Sequence, residues 1–180
     1  AKLITKVSEM RERRASAADA SSPFDPPYST MTVNVVRGGT QLNIMAGEAM
    51  FQWDLRVVPG DSREDIIGEF TDFARGIEAE MRAKAPGCRI EIEQMSNAPS
   101  LAPEDNNPAA DLAKAITGLN STDVVSYAAE AGQFQEGGFS AVICGPGSID
   151  QAHQPNEYIT LEQVEEGTVF IRRLIERLSA

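Results

Sequence analysis

From Ala49 to Val57 the chain alternates without a break: Ala49, Phe51, Trp53, Leu55 and Val57 interleave with Met50, Gln52, Asp54 and Arg56. A period of two puts the first set on one face of a strand. That face is apolar throughout, so it has to pack on something apolar, while Arg56 points the other way. The flanking sequence offers helices for this purpose. Asp61, with Glu64 three residues later, reads as a capping box, and Ile66, Phe70, Phe73, Ile77 and Met81 form the stripe of a helix that ends at Ala85-Pro86-Gly87. Near the start, Leu3, Val7 and Met10 have the spacing of a second helix face. The stretch 15–28 is a loop, because Pro23, Pro26 and Pro27 close off any helix.

Met31, Val33 and Val35 alternate with Thr32 and Asn34 and predict another strand, and residues 89–95 alternate again around Ile90 and Ile92. The link through Gly38-Gly39-Thr40-Gln41-Leu42-Asn43 is too long for a tight hairpin turn. Helix, strand, strand, helix, strand is the order that results. Two helices on one face of an antiparallel sheet satisfy it, an α+β arrangement that reads as a ferredoxin-like βαββαβ unit lacking its first strand.

The prolines and polar residues of 96–107 mark a boundary, dividing the chain into domains 1–105 and 106–180. Pro108 opens a helix with Leu112, Ala115, Ile116 and Leu119 inward. Short strands are expected near Val124-Val125 and at 140–143, and a last helix from Leu161 to Leu178, capped by Thr160, with Val164, Ile171, Leu174, Ile175 and Leu178 inward. Strands alternating with helices indicate an α/β sheet, but two strands make a poor one. The second segment therefore reads as part of a larger domain.

With 42% hydrophobic residues in 180, the chain has material for a core. Twenty-seven acidic against sixteen basic residues give a net charge of -11, which repels phosphate backbones and anionic lipid and argues against nucleic-acid and membrane partners. No apolar run reaches the roughly 18 residues of a membrane span, and the default location is cytoplasmic. Cys88 and Cys144 lack metal or redox spacing and are expected reduced and buried. The first helix begins in mid-stride, as in a fragment.

Chemistry concentrates after Ile143, in Cys144-Gly-Pro-Gly-Ser-Ile-Asp-Gln-Ala-His153-Gln-Pro-Asn-Glu157. Ligands of open α/β sheets bind beyond the carboxyl ends of strands. Gly145 and Gly147 let the backbone turn and approach a ligand. His153, the sole histidine, either offers a ring nitrogen to a metal or is a plain turn residue. Zinc needs three or four protein ligands, and the chain has no His-x-Asp pair to complete a set. Glu130, after the strand near Val125, reads equally as a substrate-contacting carboxylate and as a solvated loop residue. Arg56 reads as solvent-facing or paired, Asn43 as a turn residue, and the runs 11–14 and 165–166 as solvated helix faces.

Three stretches carry a family resemblance: Pro27-Tyr-Ser-Thr through Gly38-Gly-Thr-Gln-Leu-Asn43; Trp53-Asp-Leu-Arg56-Val-Val-Pro-Gly60; and the Cys144 to Glu157 loop, with Tyr127-Ala-Ala-Glu130-Ala131 beside them. Through them the chain resembles the C-terminal half of acetylornithine deacetylases, in the dinuclear-zinc aminoacylase and carboxypeptidase superfamily. The resemblance implies an inserted lid and dimerisation domain over 1–105 and the C-terminal part of an α/β zinc-hydrolase catalytic domain over 106–180. It implies His153 as a zinc ligand, and Asn43 and Arg56 as lid residues reaching the substrate carboxylate or oxyanion. Gly145 and Gly147 would line the cleft, and Glu130 would contact the substrate. The reaction implied is hydrolysis of an N-acyl amino acid by a homodimer holding two zinc ions per site, with cobalt as an alternative metal. The family's His-x-Asp pair, bridging aspartate and Glu-Glu segment precede the lid and have no counterpart here, so the chain by itself carries no catalytic residue and is expected to be inactive. Outside that family the readings are a free-standing ferredoxin-like dimerisation or small-molecule-binding module, or within it a sibling such as a succinyl-diaminopimelate desuccinylase.

Overall fold

The computed structural model describes residues 1–127, 129–152 and 154–179. Its elements are α1 (Lys2–Ser16), β1 (Thr30–Gly38), β2 (Ala49–Arg56), α2 (Arg63–Lys84), α3 (Pro108–Thr117), α4 (Ala131–Glu136) and α5 (Leu161–Leu178). They fall into two compact units, one of Ala1–Ala102 with Val124–Glu130, the other of Pro103–Asp123 with Ala131–Ala180.

In the first unit, β1 and β2 pair antiparallel and turn one face to both long helices. Val7 and Met10 of α1, Met31 of β1, and Ile66 and Phe70 of α2 are the buried core. Val33, Phe51, Trp53, Leu55 and Val57 pack against it, so the expected inward set of β2 holds from Phe51 onward, while Ala49 is exposed. Phe70 sits where the layers meet: its ring centroid is 4.9 Å from that of Trp53 and 6.3 Å from that of Phe51, the latter edge-on at 82°. Such offset and edge contacts match the positive rim of one ring to the negative face of the next. The fold is α+β, a ferredoxin-like lid with its helices on one side of the sheet.

Several local expectations fail for identifiable reasons. The register shifts between Val33 and Val35, so Val35 lies opposite Gln52 and Val36 opposite Phe51. Exposure still alternates from Met31 to Val36, with Val35 half-buried, but the extra residue turns the pairing and Val35 is not among the residues packed on the core. Residues 89–95 form no ladder among the described residues; their neighbours are side chains, with Arg75 Nη1 donating to the Ile90 carbonyl at 2.8 Å. The cap of α2 is Ser62, whose side chain accepts from Asp65 N at 3.1 Å, and not Asp61. Asp61 is engaged elsewhere. It accepts a hydrogen bond from the fully buried Ser29, whose oxygen in turn accepts from Val58 N at 3.0 Å. One hydroxyl thus fastens the entry of β1 to the turn between β2 and α2.

The basic run 11–14 is not a bare solvated face. Arg13 grips both oxygens of Glu69 on α2 at 2.6 Å, and Lys6 Nζ donates to the same carboxylate at 2.7 Å. These charge-assisted bonds clamp α1 to α2 over the core.

The second unit is held mainly by its helix ends. Asn107 caps α3 by accepting from Ala110 N at 2.9 Å, and its amide donates to the Ala141 carbonyl at 2.8 Å. Thr160 and Gln163 form a complete capping box on α5, and Arg173 Nη1 reaches the Ile116 carbonyl at 3.1 Å near the end of α3. No strand forms near Val124 or at 140–143 among the described residues, where the only sheet is the pair β1-β2. The expected inward stripe of α5 is mostly uncovered: Leu174 is half-buried, but no residue of the helix is fully buried, with Ile171 52% and Leu178 71% exposed. Leu119 falls beyond the end of α3 and is exposed as well. Cys144 is exposed and Cys88 half-buried, so neither is a buried thiol, though both are free.

Glu69 ties stability to pH. The Arg13 hydrogen bonds, followed by Lys6, overcome its partial burial and bring its carboxyl down to about 2. A depressed folded pKa contributes stability that is full above the unfolded value of 4.5 and is lost as pH falls toward 2. Glu69→Gln is therefore expected to lower stability by about 2 kcal/mol at pH 7, allowing for solvent screening, and to converge with the parent near pH 2. Urea midpoints across that range check it; an equal deficit at both ends would contradict the clamp.

Candidate functional site

The structure places the sequence-predicted residues at three locations. Asn43 lies exposed in the turn at residues 42–43, within the connection from β1 to β2. Arg56 closes β2 at the opposite end. Seven residue steps of strand, about 23 Å at 3.3 Å each, separate Ala49 from Arg56. Within the first unit, one small ligand does not span that separation.

Arg56 is paired. Its Nε donates to Asp54 Oδ2 at 3.0 Å and its Nη1 to the Ser126 carbonyl at 3.4 Å. The Ser126 hydroxyl donates onward to the Asp25 carbonyl. The guanidinium therefore stands beside the stretch leading to Glu130, itself exposed and adjacent to the start of α4. Of the predicted set, Arg56 contacts Ser126, four positions before Glu130, while Asn43 lies in the connection beyond the other end of β2. An exposed arginine held by one carboxylate and one carbonyl keeps a planar fork of donors suited to a carboxylate ligand.

Gly145 and Gly147 belong to the second unit, in the loop that follows Ile143. Gly147 has φ of 100°, a conformation that side chains with a Cβ rarely adopt. Downstream, Ser148 organises a compact turn: its hydroxyl accepts from Asp150 N at 3.2 Å, and its carbonyl from Gln151 N at 3.0 Å and Ala152 N at 3.3 Å. His153 lies outside the described residues. Among the described residues no group of three or more His, Cys, Asp or Glu side chains could hold a metal ion, and no helix is long and apolar enough to cross a membrane.

Three features escaped the sequence reading. The short helix α4 presents no clear apolar period. Glu104, within the expected boundary stretch, accepts from Gln135 Nε2 of α4 at 3.0 Å. Gln151 and Gln163, twelve positions apart, pair through their amides at 3.2 and 2.9 Å. Gln163 was detectable as the fourth residue of Thr160-x-x-Gln163; its partner was not.

Residues 1–82 match the Peptidase dimerisation domain. Over that span, somewhat under half of the chain, the sequence is similar to that domain family. The matched span contains α1, β1 and β2 and nearly all of α2, so the likeness falls on the core centred on Phe70. Curated relatives extend the likeness past it. The chain is 27% identical over 157 residues to an acetylornithine deacetylase of Myxococcus xanthus, 87% of this chain and 40% of that protein. An acetylornithine deacetylase of Proteus mirabilis (strain HI4320) is 29% identical over 175 residues, 96% of this chain and 43% of the relative. One from Pectobacterium atrosepticum is 30% identical over 158 residues, 87% and 37% respectively. The resemblance to acetylornithine deacetylases holds, and the chain spans about two fifths of the length of these relatives.

The Arg56 contacts tie the end of β2 to residue 126. Arg56→Ala is expected to free Ser126, lowering its backbone order parameter below about 0.6 by 15N relaxation, at a stability cost under about 1 kcal/mol. An unchanged order parameter would show that Arg56 does not hold that stretch.

Proposed function

We propose that this chain contributes the lid (1–105) and the C-terminal catalytic segment (106–180) of a zinc-dependent hydrolase of N-acyl amino acids. N-acetyl-ornithine is the favoured substrate, cleaved to ornithine and acetate in arginine biosynthesis in the cytoplasm. The observation that carries this reading is the alignment with acetylornithine deacetylases across both units and not across the dimerisation domain alone.

The assigned roles follow from chemistry. Arg56 offers two parallel N–H donors to a substrate carboxylate. Asn43 offers an amide, Glu130 a carboxylate for the substrate's polar end, and Gly145 and Gly147 a backbone that a ligand can approach closely. His153 is assigned as one metal ligand. The described residues do not by themselves fit a zinc ion, since they contain no cluster of three donors. No chemical step is therefore drawn through a metal here, and the remaining ligands and the general base are assigned to protein outside these 180 residues.

The separation of Asn43 from Arg56 along β2 supports a homodimer. Two copies related by a twofold axis can present the hairpin connection of one beside the strand end of the other, which a single copy does not do. Light scattering of the chain is expected to give a dimer, and a monomer at high concentration would contradict that part. Calorimetric titration with zinc is expected to show no tight stoichiometric binding; a tight site would mean a ligand set that the described residues do not contain. The reading as a whole is tested by sequencing the gene upstream of Ala1. A His-x-Asp pair and a Glu-Glu dipeptide in the same frame are expected, whereas a stop codon or an unrelated domain would favour a free-standing dimerisation module. A panel of N-acetyl-ornithine and N-succinyl-diaminopimelate on the complete enzyme separates the deacetylase from its sibling.

A further inference from the structure

The loop from Cys144 to Ala152 touches α5 at several points. At its beginning, Pro146 rests on Gly167: a Cβ built on Gly167 would lie 2.9 Å from Pro146 Cγ and 3.2 Å from its Cβ. A proline ring is rigid, so no side chain fits at 167 unless the loop moves. Gly147, in its left-handed conformation, brings the chain within 4.0 Å of Ile159 Cδ1, as measured from the position a Cβ would take. Toward its end, the Gln151 and Gln163 amides exchange two hydrogen bonds at 3.2 and 2.9 Å. Gln163 is fixed in turn, because its Oε1 accepts from Thr160 N at 3.0 Å in the capping box. The loop thus rests on a helix end that is itself capped, at two places four residues apart on α5, which is one helical turn.

We propose that Gln163 and Gly167 of α5 are positioning residues for the Gly-Pro-Gly loop, holding residues 145–152 against the N-terminal half of the helix. As a contribution to the site it rests on the proposed function, which makes position 153 a metal ligand and Gly145 and Gly147 part of the cleft. Groups that orient a ligand without touching the metal or substrate act through geometry. Neither Gln163 nor Gly167 is charged or nucleophilic, so positioning is the role their chemistry allows. The glycine runs against helix propensity, since Gly inside a helix is destabilising relative to Ala. Its fit against Pro146 accounts for its presence.

The test uses the chain itself, in which His153 is the only histidine and its imidazole 15N signals are unique. Gln151→Ala removes the amide pair while leaving Thr160, Gln163 and the cap of α5 in place. Exchange of the Gln151 and Ala152 amides, both bonded to Ser148 O, is expected to speed up about tenfold. The His153 imidazole signals are expected to shift or broaden, with α5 amides changed less than about twofold. Gln163→Glu, which keeps an acceptor for both Gln151 and the cap, should fall between parent and Gln151→Ala. Gly167→Ala distinguishes positioning from helix stability: propensity alone predicts a firmer α5 with an unaltered loop, and the proposal predicts a firmer α5 with a displaced one. Unchanged loop exchange and imidazole signals in Gln151→Ala, or an undisturbed loop in Gly167→Ala, would overturn it. Zinc content of the complete enzyme unaffected by His153→Ala would instead overturn the functional reading and leave the loop result standing, so the two failures are distinguishable.

Discussion

Phe70 meets Trp53 and Phe51 across the helix–sheet interface, in a core that Val7 and Met10 of α1 complete. The rest of the first unit is arranged around that contact. The apolar face of β2 has to be covered, and α2 covers it with an aromatic ring and not an aliphatic stripe alone. Once α2 is seated, Glu69 faces α1, where Arg13 and Lys6 close on it. The Ser29 bridge fixes the turn from β2 into α2. Arg56 is presented outward because its strand neighbours Leu55 and Val57 are held inward. The exposed chemistry of the lid thus follows from its buried face.

The second unit is organised differently. It buries little beyond Ala110 and Ile116, and relies on polar locks at helix ends and on the close fit of Pro146 against Gly167. Exposed side chains at Phe134, Phe139, Ile143 and along α5 leave an apolar surface that this unit does not cover among its described residues. The unit's order is local, set by caps and turns.

What was legible in the sequence follows the same division. Helices α1, α2, α3 and α5 and both strands were readable, because each has its period or its cap written locally. The inward set of β2 was readable from Phe51 to Val57, but not at Ala49, which is exposed. The shift at Asn34 was not, since a bulge is fixed by the partner strand and leaves alternation looking intact. Residues 89–95 and 140–143 have the composition of strands, but a strand is defined by a neighbour, and that information is not local. Asp61 was read as a cap in place of Ser62 because sequence gives the residue type and not its tertiary partner, Ser29. The same limit hid the pairing of Gln151 with Gln163. The candidate residues were found from motif and resemblance; that Asn43 and Arg56 stand at opposite ends of a strand emerged only from the register.

The dependence of the lid on one aromatic contact is open to a single measurement, the equilibrium unfolding of Phe70→Ala followed by Trp53 fluorescence, Trp53 being the only tryptophan. Removing a buried ring and leaving a cavity is expected to cost about 3–5 kcal/mol, enough to unfold much or all of a marginally stable unit. A loss under about 1 kcal/mol, with Trp53 still shielded, would contradict the account and place the organising contact of the lid elsewhere.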